Sequence, residues 1–342
     1  MRVLIVDDSA LMRAIIREVL QENGIEIAGE GSDGSKALAL VRESRPDLIV
    51  MDFNMPVMNG VEATRAIMHQ YPVPIVIFSN EVDQQLSYQA LEAGAVEVLA
   101  KPDIDQFNNP EFAERFLAVL GAAARRRPAA LRPATVRAAG SRPAVDTASE
   151  VTRSPYSVLV MGASTGGPAA LREVLMALPG DFPLGIALVQ HIEARFAEGF
   201  ARWLDESCAL TVRLARRSDR FTPGEVLVAP GDQHLVCLDR TLALDHGPKV
   251  ANQRPAVDRL FETAARAYGK RTLAVLLTGM GADGADGCVA IRAAGGTTCV
   301  QDKETSFIYG MPRAAAERGG ATRVLPLDRI ASSLLEAVGR YG

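Results

Sequence analysis

At 342 residues the chain is longer than one hydrophobic core ordinarily holds, so two domains and a connector are expected. A composition 48% hydrophobic and 23% charged is that of a globular protein in water, and a net charge of -4 excludes a nucleic-acid partner held by bulk positive charge. The longest apolar runs, such as Leu184 to Val189 and Leu273 to Leu277, fall far short of the roughly 20 residues that span a bilayer, and Met1 to Val6 runs straight into Asp7-Asp8 without the apolar stretch of an export signal; the expected location is cytoplasmic, without membrane insertion.

From Val3 to about Leu120, short apolar runs alternate with amphipathic stretches. Val3 to Val6, Leu48 to Met51, Ile75 to Phe78 and Val96 to Leu99 have the length and character of buried strands. Between the first two, Leu11, Met12, Ile15, Ile16, Val19 and Leu20 recur at helical spacing. This is the β/α rhythm of a doubly wound parallel sheet, in which ligands bind outside the carboxyl ends of the strands. Asp7 and Asp8 follow the first strand, Asp52 the next, Ser79 closes the strand Ile75 to Phe78, and Lys101-Pro102 closes the last. Clustered carboxylates repel one another, and a hard divalent cation such as Mg2+ relieves that repulsion. A hydroxyl at Ser79 and an ammonium at Lys101 would then face a phosphoryl group on Asp52.

These pieces, Val6-Asp7-Asp8-Ser9, Met51 to Pro56 with Gly60, Ser79, and Lys101-Pro102, resemble response-regulator receiver domains of the flavodoxin-like fold. The resemblance implies that Asp52 accepts a phosphoryl group from a histidine kinase, that Asp7, Asp8 and Asp52 bind Mg2+, and that Ser79 and Lys101 form the switch. Where many receivers have an aromatic three residues before the lysine, this chain has Val98. The first domain is set at residues 1–121.

Residues 122–154 break the rhythm. Seven arginines stand against Asp146 and Glu150, interrupted by Pro128, Pro133 and Pro143, with few large apolar side chains to pack. The segment reads as an exposed, partly extended linker.

The rhythm resumes over 155–342 with Val158 to Met161, Leu184 to Val189 and Thr272 to Leu277, so a second doubly wound α/β domain is expected. Between Thr222 and Asp245, Pro223-Gly224 and Pro230-Gly231 punctuate short β-like runs that suggest hairpins at an edge. Cys208, Cys237, Cys288 and Cys299 lack C-x-x-C spacing and read as reduced core residues. Gly162-Ala163-Ser164-Thr165-Gly166-Gly167 follows an apolar strand and precedes a helix expected over Pro168 to Leu178. Such a turn lifts a serine out of the sheet edge beside a helix N-terminus and free backbone N–H groups. The competing reading, a phosphate- or dinucleotide-cradling loop, lacks both G-x-G-x-x-G and the P-loop lysine.

A serine nucleophile needs a base, and the chain has four histidines. His69 falls on a helix of the first domain, and His234 and His246 fall in the hairpin region. His191 directly follows the strand Leu184 to Gln190, at the kind of edge that presents Ser164, and is the best candidate. The orienting acid is sought in Thr278 to Gly284, where Asp283 ends another apolar strand; Asp286 reads as a helix cap. The order Ser, His, Asp differs from that of α/β-hydrolases.

Gly162 to Gly167, Gln190-His191, Ala229 to His234, Arg254 to Asp258, Gly279 to Gly284 and Gly310-Met311-Pro312 together resemble the Rossmann-like catalytic domain of the chemotaxis protein-glutamate methylesterase/protein-glutamine glutaminase family. The resemblance implies Ser164 as nucleophile, His191 as general base and acid, Asp283 as its orienter, and backbone N–H groups of Thr165 and Met280 as oxyanion donors. It further implies methyl-accepting chemoreceptors as substrates, deamidation of receptor glutamines, no cofactor for the ester step, and control by phosphorylation of Asp52. After His191, Ile192 to Arg195 lacks the proline-rich run often found in that family.

Overall fold

The computed structural model describes residues 1–79, 84–101, 109–126, 154–239 and 241–339. The chain forms two compact units, one made mainly of residues before Ser154 and the other mainly of residues from Ser154 onward. Most of the connector read at 122–154 lies outside the described residues. Its first residues belong to the helix Pro110–Arg125, which Asn109 caps by accepting from Glu111 N–H at 2.9 Å.

The N-terminal unit carries one parallel sheet of β1 (Arg2–Val6), β2 (Glu26–Gly31), β3 (Leu48–Asp52), β4 (Ile75–Ser79) and β5 (Glu97–Ala100), in the order β2-β1-β3-β4-β5. All five residues of β3 and four of five in β1 are buried, as strands covered on both faces must be. The winding reverses between the parallel strands β1 and β3, so Asp7 just after β1 and Asp52 at the end of β3 come side by side at the switch point. Ser9 starts the helix Ala10–Glu22 by accepting from Met12 N–H, and Asn59 with Glu62 builds a capping box on Gly60–Gln70. These caps fix where the loops at the carboxyl edge end.

The C-terminal unit is built on seven parallel strands: β6 (Val158–Ala163), β7 (Gly185–Gln190), β8 (Thr211–Leu214), β9 (Glu225–Val228), β12 (Thr272–Leu276), β13 (Thr297–Gln301) and β14 (Arg323–Leu325). Their order is β14-β13-β12-β6-β7-β9-β8, so the winding reverses around β6. Every residue of β6, β7 and β12 is buried. The hairpin expectation for Thr222 to Asp245 holds for β10 (His234–Leu238) and β11 (Thr241–Asp245), which pair antiparallel. It fails for β9, whose buried Val226, Leu227 and Val228 join the main sheet parallel to β7 and β8. Cys237, Cys288 and Cys299 are buried and unpaired, and burial pushes the thiols of Cys237 and Cys299 up to about 12. Among the described residues no helix is long and apolar enough to cross a membrane.

Candidate functional site

Three neighbouring strands of the second sheet, β12, β6 and β7, end at one edge. Ser164 follows β6, His191 follows β7, and Asp283 lies in the loop after β12. The β6–β7 ladder runs to the pair Ala163 and Gln190, and His191 N–H still donates to Ala163 O at 3.0 Å. On the other side Ser164 N–H donates to Thr278 O at 3.0 Å. Ser164 is therefore held by its main chain between the other two strands.

Beyond Ser164 the chain turns through Gly166 at φ 75°, a left-handed conformation suited to glycine, into the helix Gly167–Met176 with proline in its first turn. Gly279 brings the opposite loop close: a Cβ there would lie 2.2 Å from Met311 Sδ and 2.7 Å from Ser164 Cβ. Thr278 Oγ1 donates to Thr165 O at 2.9 Å and accepts from Ile308 N–H at 2.9 Å, tying the two loops together. Among the described residues neither the Thr165 nor the Met280 N–H has an intramolecular acceptor, so both are free to donate.

His191 Nε2 lies 2.7 Å from Asp283 Oδ2, and both side chains are buried. Asp283 also accepts from Val257 N–H at 2.7 Å and Asp258 N–H at 2.8 Å, the first two N–H groups of the helix Val257–Tyr268. Burial alone would raise its carboxyl, but the hydrogen bond and charge of His191 and the two backbone donors hold it below the usual carboxylate range. An ionised carboxylate only accepts, so Nε2 carries the proton and Nδ1 is the nitrogen left basic. The structure joins His191 to Asp283 directly and sets Ser164 beside them through the backbone; among the described residues no hydrogen bond links Ser164 Oγ to the ring.

The other histidines are elsewhere. His69 and His246 are exposed, and buried His234 uses Nε2 on Pro248 O at 3.0 Å and Nδ1 on Ala256 N–H at 3.2 Å. Asp286 is not a cap: it lies inside the first turn of the helix Ala285–Ala293 and takes Arg318 Nη1 at 2.6 Å. Asp258 does the capping instead, accepting from Gly287 N–H at 2.7 Å. Burial first, and then the neighbouring Asp283, push the Asp258 carboxyl well above its ordinary value. The sequence alone points to no role for Asp258, Thr278 or Gln190, since their partners are main-chain atoms that composition and spacing do not reveal.

In the N-terminal unit, Asp7, Asp8 and Asp52 offer carboxylate oxygens that all lie within 4.8 Å of one another. Lys101 Nζ sits 2.7 Å from Asp7 Oδ2 and 2.9 Å from Asp52 Oδ1. Burial would lower the Lys101 ammonium, but its bonds to Asp7 and Asp52 raise it. The Asp52 carboxyl is pushed up to about 6, chiefly by burial, with Asp7 and Asp8 adding and Lys101 opposing. Three hard oxygen donors, with Asp8 open to solvent, fit a divalent cation such as Mg2+. Ser79 ends β4 opposite Ala100, one residue before Lys101.

Residues 159–334 match the family model described as CheB methylesterase, and residues 3–109 match that of the response regulator receiver domain. Protein-glutamate methylesterase/protein-glutamine glutaminase 2 of Pseudomonas aeruginosa is 41% identical over 99% of this chain and 97% of its own length. A relative from Anaeromyxobacter dehalogenans, numbered 5 under the same name, is 43% identical over 98% of this chain and 96% of its own. The crystal structure of the Thermotoga maritima CheB methylesterase catalytic domain covers 54% of this chain and 99% of that one, at 41% identity and a TM-score of 0.53.

Proposed function

The chain belongs to the CheB methylesterase family, and from that premise we propose that it hydrolyses glutamate methyl esters on chemoreceptors with Ser164, His191 and Asp283, under control of phosphorylation at Asp52. The observation that carries the reading is the 2.7 Å bond from His191 Nε2 to Asp283 at the strand edge that presents Ser164.

Ser164 Oγ attacks the ester carbonyl carbon while its proton passes to His191 Nδ1, and Asp283 holds the other ring proton on Nε2. The oxyanion is received by the N–H groups of Thr165 and Met280. Collapse breaks the bond to the methoxy oxygen, which takes the proton from His191 and leaves as methanol. Water then attacks the acyl-enzyme, gives its proton to His191, and releases the glutamate carboxylate as Ser164 Oγ regains a proton. With a glutamine substrate the same steps release ammonia.

In the receiver, assigned to residues 1–121, an Asp52 oxygen attacks the phosphorus of a phosphohistidine on the partner kinase, or of a small phosphodonor, and the P–N bond (or the donor's bond to its leaving group) breaks, so that the histidine or the leaving group departs with that electron pair and takes up a proton. Asp7, Asp8 and Asp52 would hold Mg2+, whose charge offsets that of the incoming phosphoryl group. Lys101 is already aimed at the Asp52 oxygen, and Ser79 is assigned to the phosphoryl group. The added charge of roughly -1.5 to -2 changes how this domain, through the linker at 122–154, restrains the hydrolase at 155–342.

The test is methanol release from methylated chemoreceptor membranes, with and without a small phosphodonor and Mg2+, beside a responsive control enzyme. Release stimulated by the phosphodonor supports both parts. Equal rates in the two conditions refute the phosphorylation control, and no release in either refutes the substrate or the triad.

A further inference from the structure

We propose that Gln190 is a positioning residue that locks nucleophile and base into one frame, by donating both Nε2 hydrogens to the main-chain carbonyls of Ser164 and His191. The proposal rests on the assignment of those two residues made above. Gln190 Nε2 lies 2.8 Å from Ser164 O and 3.1 Å from His191 O. The β6–β7 ladder ends at Ala163 and Gln190, with His191 N–H to Ala163 O as the last main-chain bond between the two strands. A primary amide replaces the missing rung at that point: two hydrogens on one planar nitrogen reach a carbonyl on each strand. The reactive side chains stand on those two carbonyl-bearing residues.

A second observation sets Gln190 apart from a filler. The residue is buried, and among the described residues its Oε1 has no hydrogen-bond partner. That oxygen lies against the first residue of the helix after the nucleophile, where a Cβ on Gly167 would come within 2.1 Å of it. An unpaired buried oxygen is unfavourable, and an apolar side chain of the same length would fill the space without one. The amide is explained by its two donors. Glutamate has the shape without the hydrogens, asparagine is one carbon short, and methionine has the length alone.

Losing the donors frees two carbonyls at the point where the distance between Ser164 and His191 is set, and displacements on the order of 1 Å between reacting groups cost about 100-fold in rate. Substrate binding, made by surfaces outside this rung, is left in place. The expected signature is therefore a fall in kcat at unchanged KM.

The experiment compares the full chain with Gln190→Met and Gln190→Glu, following kcat and KM on methylated receptor membranes and the rate at which a fluorophosphonate labels Ser164. The methionine variant is expected to lose about 10- to 100-fold in kcat and labelling rate, with KM within about twofold. The glutamate variant is expected to recover relative to wild type as pH falls, because a protonated carboxyl donates one O–H, while the methionine ratio stays flat. Kinetics within about threefold of wild type in the methionine variant overturn the proposal. If that variant does not fold, the pH trend of the glutamate ratio decides, and a flat ratio overturns it. Wild-type enzyme that hydrolyses receptor esters without labelling at Ser164 refutes the nucleophile assignment instead, a separate outcome.

Discussion

Replacing Asp283 by asparagine keeps the shape of the side chain and removes its charge, at a position where the carboxylate accepts from His191 Nε2, Val257 N–H and Asp258 N–H. Asparagine has one accepting oxygen. Turned toward His191 it sets its NH2 against the Asp258 N–H; turned the other way it sets that NH2 against Nε2 and favours the wrong tautomer. The imidazolium formed during attack also loses an ion partner now 2.7 Å away. With charge centres near 4 Å and an effective dielectric of about 20, that attraction is about 4 kcal/mol, or roughly a thousandfold in rate. The tautomer penalty takes the expected loss in kcat to about 10^3- to 10^4-fold. The lost helix-terminus bond costs about 1–3 kcal/mol of stability, a fall of several degrees in Tm. The assay is methanol release at saturating methylated receptor, with a melt of each protein. An Asp283→Asn enzyme retaining kcat within about tenfold of wild type would refute the reasoning. Linkage adds a check. The Asp283 carboxyl is lowered in the folded state, so its stabilisation is present above the ordinary aspartate range and lost as pH falls below it. Wild type and Asp283→Asn should converge in Tm toward acid.

Ser164→Ala is expected to abolish both ester hydrolysis and glutamine deamidation; methanol release persisting at the wild-type rate would rule out Ser164 as the nucleophile. Asp52→Asn is expected to abolish stimulation by a phosphodonor, read as equal methanol release with and without it. Because the folded Asp52 carboxyl is raised to about 6, its contribution to stability is full below the ordinary aspartate value and lost as pH rises from there through about 6. The asparagine variant should therefore exceed wild type by on the order of 3 kcal/mol above that range and match it near pH ~4, with Mg2+ narrowing the gap. Melts across pH, with and without Mg2+, test this; a gap independent of pH would contradict it. Asp258 is also raised, by burial and then by Asp283, so wild type loses stability as pH climbs above the aspartate range. Asp258→Asn should flatten that slope while keeping the acceptor for Gly287 N–H, and Asp258→Ala should flatten it too but lie about 1 kcal/mol below the asparagine variant at every pH; a denaturation series over pH on all three proteins tests both statements.

The residues proposed for the chemistry are legible because parallel sheets place ligand-facing side chains at strand ends, and strand ends can be read from where an apolar run stops. Leu48 to Met51 stops at Asp52 in the first sheet, and in the second Val158 to Met161 runs out just before Ser164 and Leu184 to Val189 just before His191, each bringing its polar residue to the carboxyl edge of its own sheet. Four histidines make elimination possible: His69 and His246 are exposed, and His234 is bonded at both ring nitrogens. The misreadings share a cause. Glu225 to Val228 looks like one arm of a hairpin because proline and glycine flank it, yet its partners β7 and β8 are chosen by burial of Val226 and Val228, a tertiary fact.

Asp258 shows the same limit from the side of the acids. A carboxylate near a helix start suggests a cap on its own helix, and on that rule Asp286 was the natural choice. The structure exchanges the duties: Asp283, just before the helix Ala285–Ala293, serves the N-terminus of Val257–Tyr268, while Asp258 in the first turn of that helix serves Gly287. Asp283 thus fixes the helix that carries Asp258, and Asp258 fixes the helix that Asp283 leads into. The exchange couples the orienting acid to two helices at once, so His191 is aligned by a rigid pair of helix termini and not by a loop. It also keeps two acids close together in a buried place, where only one can readily be charged. Asp283 has His191 and two backbone donors and Asp258 has one, so the charge belongs on Asp283, the position from which it can stabilise an imidazolium.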